Sequence, residues 1–562
     1  MDKRSVQDCH AATKIPVNVQ PESNVRGEAS RQGRSLIRHG SMLSLLTLVS
    51  RLLGLAREMT KAALLGTTAL SDAFSVAFMI PNLFRRLFAE GSIAVAFIPT
   101  FKEYLLANGK GDNSERASQE AQATIKEFLS CVLTFLTFCV TLTAVAGAIF
   151  CPLVIHFFGM EEFTETVFLT RLMFPFLIFI SLAAFFQGVL NSFSIFSPSG
   201  FAPILLNIIT ILSAYALSPY MQNPARAMAM GIIAGGFMGA AIQLPFILKH
   251  KSKTRFFFTS LSKAFANPGT KKVLRLIIPT IIGMAAYQLN DLVSTALAGN
   301  AGEGVVSSLQ FSLRLQELIL GVFAVSIGTV LLPDLAEHAK LQRWEIFNSR
   351  LTQAMNIIAL IAIPVTFFAL SQGEILIRLL FQTRSFDERS VRLTLAAFTF
   401  HMPGLYFIAM NRVLAPAFYA QSNSKSPTFA GIISFAVNIT LAAVLVSGFK
   451  GSGIAFALTV ASAVNTAALL IFLKTNPAIT VGQTLKSTLA YTLKLALFSA
   501  IAVVPVLLLS PHLVNFFSGQ PRLISQGAPL CINMIVFAAA GITLLTVTRD
   551  KQFMGIVKLF KR

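Results

Sequence analysis

Long apolar stretches recur along the chain from residue 41 onward, and most polar residues lie between them. About 20 apolar residues are enough for a helix to cross the hydrocarbon core of a bilayer. The stretches do not alternate apolar and polar residues, so they predict spanning helices rather than barrel strands. We predict fourteen spans, at about 41–66, 71–100, 127–155, 165–192, 201–219, 227–248, 273–298, 305–333, 351–381, 393–420, 427–447, 453–473, 487–511 and 527–547.

Lysine and arginine are distributed unequally over the segments between these spans. The side that holds the N-terminus carries 29 of the 46 basic residues, and the opposite side carries 6. Because cytoplasmic segments are enriched in Lys and Arg, this asymmetry predicts that both termini are cytoplasmic. We call the opposite side the predicted outer side.

A basic segment and a weak repeat divide the chain into units. SDAFSVAFMIPNLFRRLFAEGSIAVAFIP (71–99) resembles VSSLQFSLRLQELILGVFAVSIGTVLLP (306–333) at an offset of 234 residues. Six helices on each side of the basic segment predict two lobes related by a pseudo-two-fold axis along the membrane normal. The predicted units are an irregular basic tail (1–40), a first half (41–248), a basic cytoplasmic linker (249–272), a second half (273–473), helices 13 and 14 (474–548) and a basic C-terminus (549–562).

The composition is that of a multi-pass membrane protein. Hydrophobic residues make up 54% of the chain and charged residues 13%, against about 25% charged in soluble domains. The net charge of +21 does not indicate nucleic-acid binding, because the basic runs lack a soluble fold. The five cysteines have no CxxC spacing, so we expect no disulfide framework and no metal site.

Arginines lie inside several apolar spans, which is the most informative feature of the sequence. Arg51 and Arg57 are in helix one, Arg85 and Arg86 in helix two, and Arg314 in helix eight. An arginine at bilayer depth costs at least about 2.5–3.5 kcal/mol. Several of them predict a water-filled cavity or an anionic ligand.

The helical spacing places these arginines on faces that also carry glycine. Arg51, Gly54 and Glu58 form one stripe of helix one, and helix eight has a second stripe. A face of this kind borders a cavity or a close neighbour rather than lipid. The helix-eight stripe consists of Arg314, Glu317, Gly321 and Gly328.

Pro81 is expected to kink helix two, with Asn82 and Arg85 just beyond it. The predicted cavity set places arginines against acidic side chains, and guanidinium groups match phosphate oxygens bidentately. The ligand class is therefore a diphosphate or an acidic or sulfated sugar. The alternative is structural, with each arginine paired to Glu58, Asp72 or Glu90. The cavity set is Arg51, Arg57, Arg85 and Arg314 with Asp72, Glu58 and Glu317, whereas Arg86 and Glu90 are placed at the membrane edge.

Other motifs carry less information. There is no GxxxxGK[ST] sequence, so energy must come from an ion gradient, the membrane potential or the gradient of the substrate. His401 is interpreted as a hydrogen-bonded packing residue rather than a proton carrier. Asp291 is a candidate cation or proton ligand, with a capping or salt-bridged role as the alternative.

Four segments resemble the MurJ/MviN lipid II flippases of the multidrug/oligosaccharidyl-lipid/polysaccharide exporter superfamily. They are SRLLGLARE (50–58), SDAFSVAFMIPNLFRRLFAEG (71–91), GTVLLPDL (328–335) and RVLAPAFYAQSNSKSP (412–427). The resemblance covers about 41–550. It implies two six-helix lobes around a central cavity and a groove along helices 13 and 14 for a polyprenyl tail.

The resemblance also implies a function in the bacterial cytoplasmic membrane. The expected activity is transport of lipid II, undecaprenyl-diphosphate-disaccharide-pentapeptide, to the outer leaflet by alternating access, without catalysis or a cofactor. Lipid II, membrane lipids and cell-wall synthesis proteins are the expected partners. Coupling to the membrane potential or to a monovalent cation is also expected, although helix eleven lacks the acid that some relatives use for sodium.

The resemblance assigns roles to individual residues by motif position. Glu58 stands where many relatives have Asp, and Met79 where some have Lys. The expected hinge residues are Pro81, Gly321 and Gly328. The family's cavity arginines correspond to Arg51, Arg57, Arg85 and Arg314, with Ser50, Asp72, Asn82 and Glu317 as polar neighbours.

The alternative functions fall into two classes, other exporters and membrane enzymes. A drug exporter of the same superfamily would favour an acid-lined cavity for cations, and an exporter of another polyprenyl-linked oligosaccharide would share the arginines. A membrane glycosyltransferase or ligase would need a large outer loop with catalytic acids, whereas the predicted outer loops are short.

Overall fold

The computed structural model describes residues 22–87, 93–107, 115–160, 162–249 and 256–560, and this part of the chain contains helices and turns but no strand. A short 3-10 helix covers Ser218–Tyr220. The α-helices are α1 Glu22–Leu65, α2 Ala69–Arg85, α3 Ile93–Ala107, α4 Glu115–His156, α5 Phe163–Ser192, α6 Ser197–Leu217, α7 Pro224–Ala241, α8 Leu244–Lys249, α9 Leu261–Ala266, α10 Pro268–Gly299, α11 Val305–Lys340, α12 Trp344–Phe381, α13 Glu388–His401, α14 Gly404–Tyr419, α15 Lys425–Leu473, α16 Val481–Phe516, α17 Arg522–Val547 and α18 Lys551–Phe560.

The predicted all-α membrane architecture is confirmed, and every predicted span overlaps at least one of these helices. By length and apolarity, eight of the described helices can cross a membrane, or nine if the bent pair α13 and α14 counts as one span. The number fourteen stays a prediction.

The N-terminal segment differs from the predicted irregular tail. Helix α1 already begins at Glu22, so residues 22–40 are helical, and residues 1–21 lie outside the described part. The physical reason is that extending a helix costs far less than nucleating one. No proline follows Pro21 in this stretch, so nothing interrupts the extension of α1 towards the N-terminus.

Three predicted spans consist of two helices each. Residues 71–100 form α2 and α3, 227–248 form α7 and α8, and 393–420 form α13 and α14. Two of these breaks lie at a proline: Pro245 follows the break before α8, and Pro403 lies within the break before α14. A proline lacks the N–H of the helical ladder and its ring clashes with the carbonyl four residues earlier, which explains the breaks.

Helix two does not break at Pro81. Helix α2 runs through Pro81 to Arg85, and Arg86 at its C-terminal end still has α-helical angles (φ −62°, ψ −40°). The expected kink at Pro81 stays a prediction.

Helix α15 contains two predicted spans that fold back on each other. Lys450 has non-helical angles (φ 49°, ψ −130°) between them. The Ser434 hydroxyl donates to the Ala461 carbonyl at 2.8 Å, which requires the two parts to lie side by side. The predicted turn between 447 and 453 is thus present within α15.

Packing within each half is more extensive than packing between the halves. Helices α5, α6 and α7 form the centre of the first half, and α10 to α15 pack together in the second. Helices α16 and α17 pack on each other and on α12. Contacts between the halves include α2 with α11 and α3 with α10.

Rows of exposed apolar side chains lie on the outer surface of the helices. Leu142, Ile149 and Leu153 of α4 and Leu497 and Leu508 of α16 are exposed. In a chain of this composition such rows face lipid rather than water.

Candidate functional site

Two arginines lie across the boundary between the halves, each over a glycine of the opposite half. Arg51 Nη1 of α1 occupies the space that a side chain at Gly321 of α11 would fill. Arg314 Nη2 of α11 occupies the space above Gly54 of α1. The glycine stripes predicted on helices one and eight therefore face close neighbours, and those neighbours are arginines.

A cavity of about 270 Å³ opens beside this crossing. Helices α1, α11 and α14 form it, and its charged lining comprises three arginines and one glutamate. The formal excess is two positive charges, which suits an anionic group. The lining residues are Arg51, Leu55, Arg314, Glu317, Leu318, Gly321 and Arg412.

Glu317 is the counter-charge within this cavity. Arg314 Nη1 donates to Glu317 Oε2 at 3.1 Å, one turn along α11. More than half of the Glu317 side chain is exposed, so the pair is screened by solvent and stabilises the fold little. An anion with stronger hydrogen-bond acceptors can therefore compete for Arg314.

Ser50 and Asn207 lie beside the arginine crossing. The Asn207 amide donates to the Ser50 carbonyl at 3.2 Å, which joins α6 to α1. The same amide lies close to Gly54. The predicted polar neighbour Ser50 is thus fixed next to Arg51.

Arg57 and Glu58 are placed together but outside this cavity lining. Arg57 Nη2 donates to Glu58 Oε1 at 3.0 Å, and the guanidinium lies 5.5 Å from the centre of the Phe78 ring. Both contacts lie within the first half. The pairing of Arg57 with Glu58 agrees with the alternative in which the arginine has a structural role.

Arg85 and Asn82 lie at the end of α2. The Arg85 Nε donates to Asn82 Oδ1 at 2.7 Å, so the amide orients the guanidinium. Both belong to the predicted set, and neither lines the cavity between α1, α11 and α14.

Arg86 connects the two halves, although the sequence placed it at the membrane edge. Its Nη1 donates to Gln288 Oε1 at 3.3 Å and to Asp291 Oδ2 at 3.2 Å, both on α10. Asp291 is thus salt-bridged, as in the alternative to a cation ligand.

Asp72 lies at the N-terminus of α11 rather than in the cavity. Its carboxylate accepts hydrogen bonds from the backbone N–H groups of Gly304 and Ser307, each at 2.7 Å. A buried carboxylate stabilises a helix N-terminus, where N–H groups lack partners inside the helix. The structure thus places Asp72 on the start of α11, away from the cavity lining, and its expected role at the substrate site stays a prediction.

Further contacts connect the halves at the same end, which is the predicted outer side. The Thr67 and Ser390 hydroxyls are hydrogen-bonded at 2.8 Å. The Ala69 N–H donates to Glu303 Oε1 at 3.1 Å, and Arg389, which is in the same half as Glu303, pairs with Glu303 Oε2 at 3.1 Å. The starts of α2 and α11, which are equivalent in the repeat, meet here.

Lys61 is a buried charge that the sequence analysis left without a role. Its ammonium donates to Ser75 Oγ at 2.5 Å and to Gln310 Oε1 at 3.2 Å, and it lies 4.8 Å from the centre of the Phe311 ring. Lys61 thus joins α1, α2 and α11 next to the Asp72 cap. A lysine inside a predicted span was the sequence signal that could have identified it as a functional candidate.

The hinge candidates lie in two helices. Pro81 is buried inside α2, and Gly321 lies under Arg51. Gly328 is inside α11. Their expected role in movement stays a prediction.

His401 is a packing residue, as interpreted from the sequence. It is buried, and its Nδ1 is hydrogen-bonded to Ser312 Oγ at 2.7 Å. Its carbonyl accepts a hydrogen bond from Gln316 at 2.5 Å.

Neutral side chains join α10 to the first part of α15, which correspond to the predicted helices seven and eleven. Asn438 donates to Asn290 Oδ1 at 2.8 Å and to Ser294 Oγ at 3.0 Å. Among the described residues, no three His, Cys, Asp or Glu side chains are grouped so that they could hold a metal ion. Coupling to a cation stays a prediction.

Comparison with known sequences places this arrangement in a family. The sequence model described as "Lipid II flippase MurJ" matches residues 61–524. The chain belongs to the MurJ lipid II flippase family. A relative from Treponema pallidum (strain Nichols), named probable lipid II flippase MurJ, is 46% identical over 517 residues, which cover 92% of this chain and 97% of the relative. The lipid II flippase MurJ of Burkholderia cenocepacia is 32% identical over 432 residues, 76% of this chain and 81% of the relative.

Solved structures support the MurJ fold. One described as "Lipid II flippase MurJ, inward closed conformation" has a TM-score of 0.71 at 22% identity and covers 90% of this chain and 99% of its own. An inward-facing multidrug resistance MATE transporter has a TM-score of 0.63 at 12% identity, covering 78% of this chain and 96% of its own. These identities establish the fold and leave the roles of individual residues to be tested.

Proposed function

We propose that the protein flips lipid II from the inner to the outer leaflet of the bacterial cytoplasmic membrane for peptidoglycan synthesis, by alternating access between its two halves. Both termini are cytoplasmic in this proposal. The protein binds and releases its substrate and changes conformation, and no covalent bond is made or broken. Membership of the MurJ family supports the substrate.

The observation that carries the proposed mechanism is the convergence of Arg51 and Arg314 from different halves on one cavity. Guanidinium groups bind phosphate oxygens bidentately, and arginines at membrane depth lower the cost of placing an anion there. The diphosphate of lipid II therefore binds at this cavity. Arg57, Arg85, Asn82 and Ser50 contribute to the wider headgroup site when the halves separate.

The cavity size indicates that this conformation is a contracted one. Its volume of about 270 Å³ is just below the roughly 300–1,000 Å³ typical of small-molecule sites. A diphosphate is small enough for such a site, whereas a disaccharide with a pentapeptide needs more room. The halves must move apart to admit the complete headgroup.

The contacts of Asp72, Thr67 and Glu303 support an outer side that is closed in this conformation. Transport requires these contacts to break while others form, and a charge-assisted helix cap is a strong but reversible contact. The polyprenyl tail stays in the bilayer along α16 and α17, whose exposed Leu493 and Ile535 offer an apolar surface.

The experiment is complementation of a strain depleted of the protein. Depletion should leave lipid II in the inner leaflet, and the wild-type chain should restore its exposure at the outer surface. Arg51→Ala and Arg314→Ala, expressed at wild-type levels, should not restore it. Unchanged surface exposure after depletion would contradict the function, and accumulation of another polyprenyl-linked oligosaccharide would favour the related exporter. Restoration by both variants would contradict the cavity assignment alone.

A further inference from the structure

Arg412 of α14 is the third arginine of the cavity, and no role follows for it from the sequence analysis. It lines the same space as Arg51 and Arg314. It comes from a third helix, so the three guanidinium groups surround the cavity instead of lying in one row.

The direction of α14 is set by a built-in bend. Helices α13 and α14 meet at an angle of 44° across the break that contains Pro403. Carbonyl groups freed at a break inside a membrane need donors from elsewhere in the protein. The Phe400 carbonyl accepts from the Thr459 hydroxyl at 2.6 Å, and the Met402 carbonyl from the Leu405 N–H at 3.0 Å.

The His401 carbonyl accepts from the Gln316 amide, so donors from α11 and α15 hold two successive carbonyls of the bend. Gly404 lies against Thr459, where a side chain would overlap the hydroxyl. The bend is therefore part of the packed second half and fixes the direction in which α14 leaves it.

The rotation of α14 about its own axis is fixed as well. Asn411 donates to the Ser462 carbonyl at 3.2 Å and accepts from the Thr466 hydroxyl at 2.8 Å, both on α15. Successive residues of a helix point about 100° apart. With Asn411 held on α15, the next residue, Arg412, is directed away from α15 and towards α11 and the cavity.

We propose that Arg412 is a direct ligand of the substrate diphosphate and that it binds the phosphate that Arg51 and Arg314 do not hold. This inference rests on the proposed function. A diphosphate between two organic groups carries one negative charge on each phosphate, so it offers acceptor oxygens on two sides to guanidinium groups that come from three helices. Arg51 and Arg314 hold one phosphate across the boundary between the halves, and Arg412 holds the other from the side of α14.

This arrangement distinguishes diphosphate lipids from monophosphate lipids. A monophosphate engages the crossed pair Arg51 and Arg314 but leaves Arg412 without its ligand. Arg412 is thus a specificity-determining residue, and its replacement should affect one lipid class more than the other.

The test measures binding of lipid II and of an undecaprenyl-phosphate-linked sugar to the purified full chain in nanodiscs. The first lipid carries one charge on each of two phosphates, and the second carries one charge on a single phosphate. Arg412→Gln should weaken diphosphate binding at least about fivefold, as expected for loss of one charged contact. Monophosphate binding should change less than twofold, and Arg412→Lys should lie between wild type and Arg412→Gln for the diphosphate. The matched control is Arg275→Gln, which removes an exposed arginine of α10 that lies outside the cavity lining.

The outcomes separate this inference from the proposed function. Wild-type diphosphate affinity in Arg412→Gln, together with losses in Arg51→Gln and Arg314→Gln, overturns the role of Arg412 and leaves the function intact. Equal losses of affinity for both lipids in Arg412→Gln overturn the claim that Arg412 binds a separate phosphate. Wild-type affinity in all three variants overturns the site and the inference together. If Arg412→Gln does not fold, as judged by its melting temperature, the Arg412→Lys comparison decides.

Discussion

The guanidinium of Arg51 lies directly on the backbone of Gly321, across the boundary between the two halves. Arg314 and Gly54 form the reverse contact, from the second half to the first. Each half thus supplies an arginine and the glycine that accommodates the arginine of the other half. Any side chain at either glycine must displace a guanidinium from the cavity.

Gly321→Ala should impair transport without unfolding the protein. The methyl group meets the far end of a flexible side chain, so Arg51 moves and the packed core does not. We expect transport to fall roughly 5- to 150-fold, the range for a coupling of about 1–3 kcal/mol, with the melting temperature nearly unchanged. Gly541→Ala is the control, because a side chain there enters open space. A large fall in melting temperature with normal transport per folded molecule would contradict this prediction.

A disulfide between Thr67→Cys and Ser390→Cys should stop transport reversibly. The two hydroxyl oxygens are 2.8 Å apart, so cysteines at these positions are close enough to bond with small adjustments. The measurement is transport before and after reduction, in a chain whose five native cysteines have been replaced. Full transport by the cross-linked protein would show that the outer side need not open.

Asp72→Asn should weaken the closure of the outer side. The carboxylate accepts two backbone N–H groups of α11, and a neutral amide accepts them less strongly. A loss of about 1–2 kcal/mol would shift the equilibrium between closed and open outer sides roughly 5- to 30-fold towards the open form. The rate of cross-linking between the cysteines at 67 and 390 measures this shift. A rate equal to that of the parent double-cysteine protein would argue against the role of the cap.

Arg226→Ala should reduce stability rather than transport. Arg226 forms two hydrogen bonds to Glu165, at 2.8 and 2.7 Å, and lies 4.1 Å from the centre of the Phe168 ring, all within the first half. Loss of this partly buried pair should cost about 1.5–3 kcal/mol. Thermal unfolding and transport per folded molecule separate the two effects. A specific transport defect at normal stability would assign Arg226 to the transport path.

The predicted spans and the close approach of α1 and α11 followed from simple patterns. Apolar length marked the spans, and the 3.6-residue period aligned Arg51 with Gly54 and Arg314 with Gly321. Because glycine has no side chain, a glycine on a charged face indicates a close neighbour. The pattern could not name that neighbour, because Arg51 and Gly321 are 270 positions apart in sequence.

The position of Asp72 could not be predicted from spacing alone. Its role depends on the N-terminus of α11, more than 230 residues away, and a capping acid normally belongs to the helix it caps. Asp72, in the first turn of α2, instead stabilises the equivalent helix of the other half. Lys61 was overlooked for the same reason, since its partner Gln310 is also on α11.

The contribution of α14 depended on a bend that the span prediction treated as continuous helix. Pro403 was a visible signal for that break. The donors that stabilise the bend lie on α11 and α15, and only their packing orients Arg412.

The most direct test of the account is the rate at which purified protein moves lipid II across the bilayer of proteoliposomes. It is measured for wild type, Arg51→Gln, Arg314→Gln and the control Arg275→Gln. We expect wild type and Arg275→Gln to flip lipid II at similar rates and both cavity variants to lose most of this activity. Wild-type rates in Arg51→Gln and Arg314→Gln would contradict the claim that the two halves hold the diphosphate between their arginines.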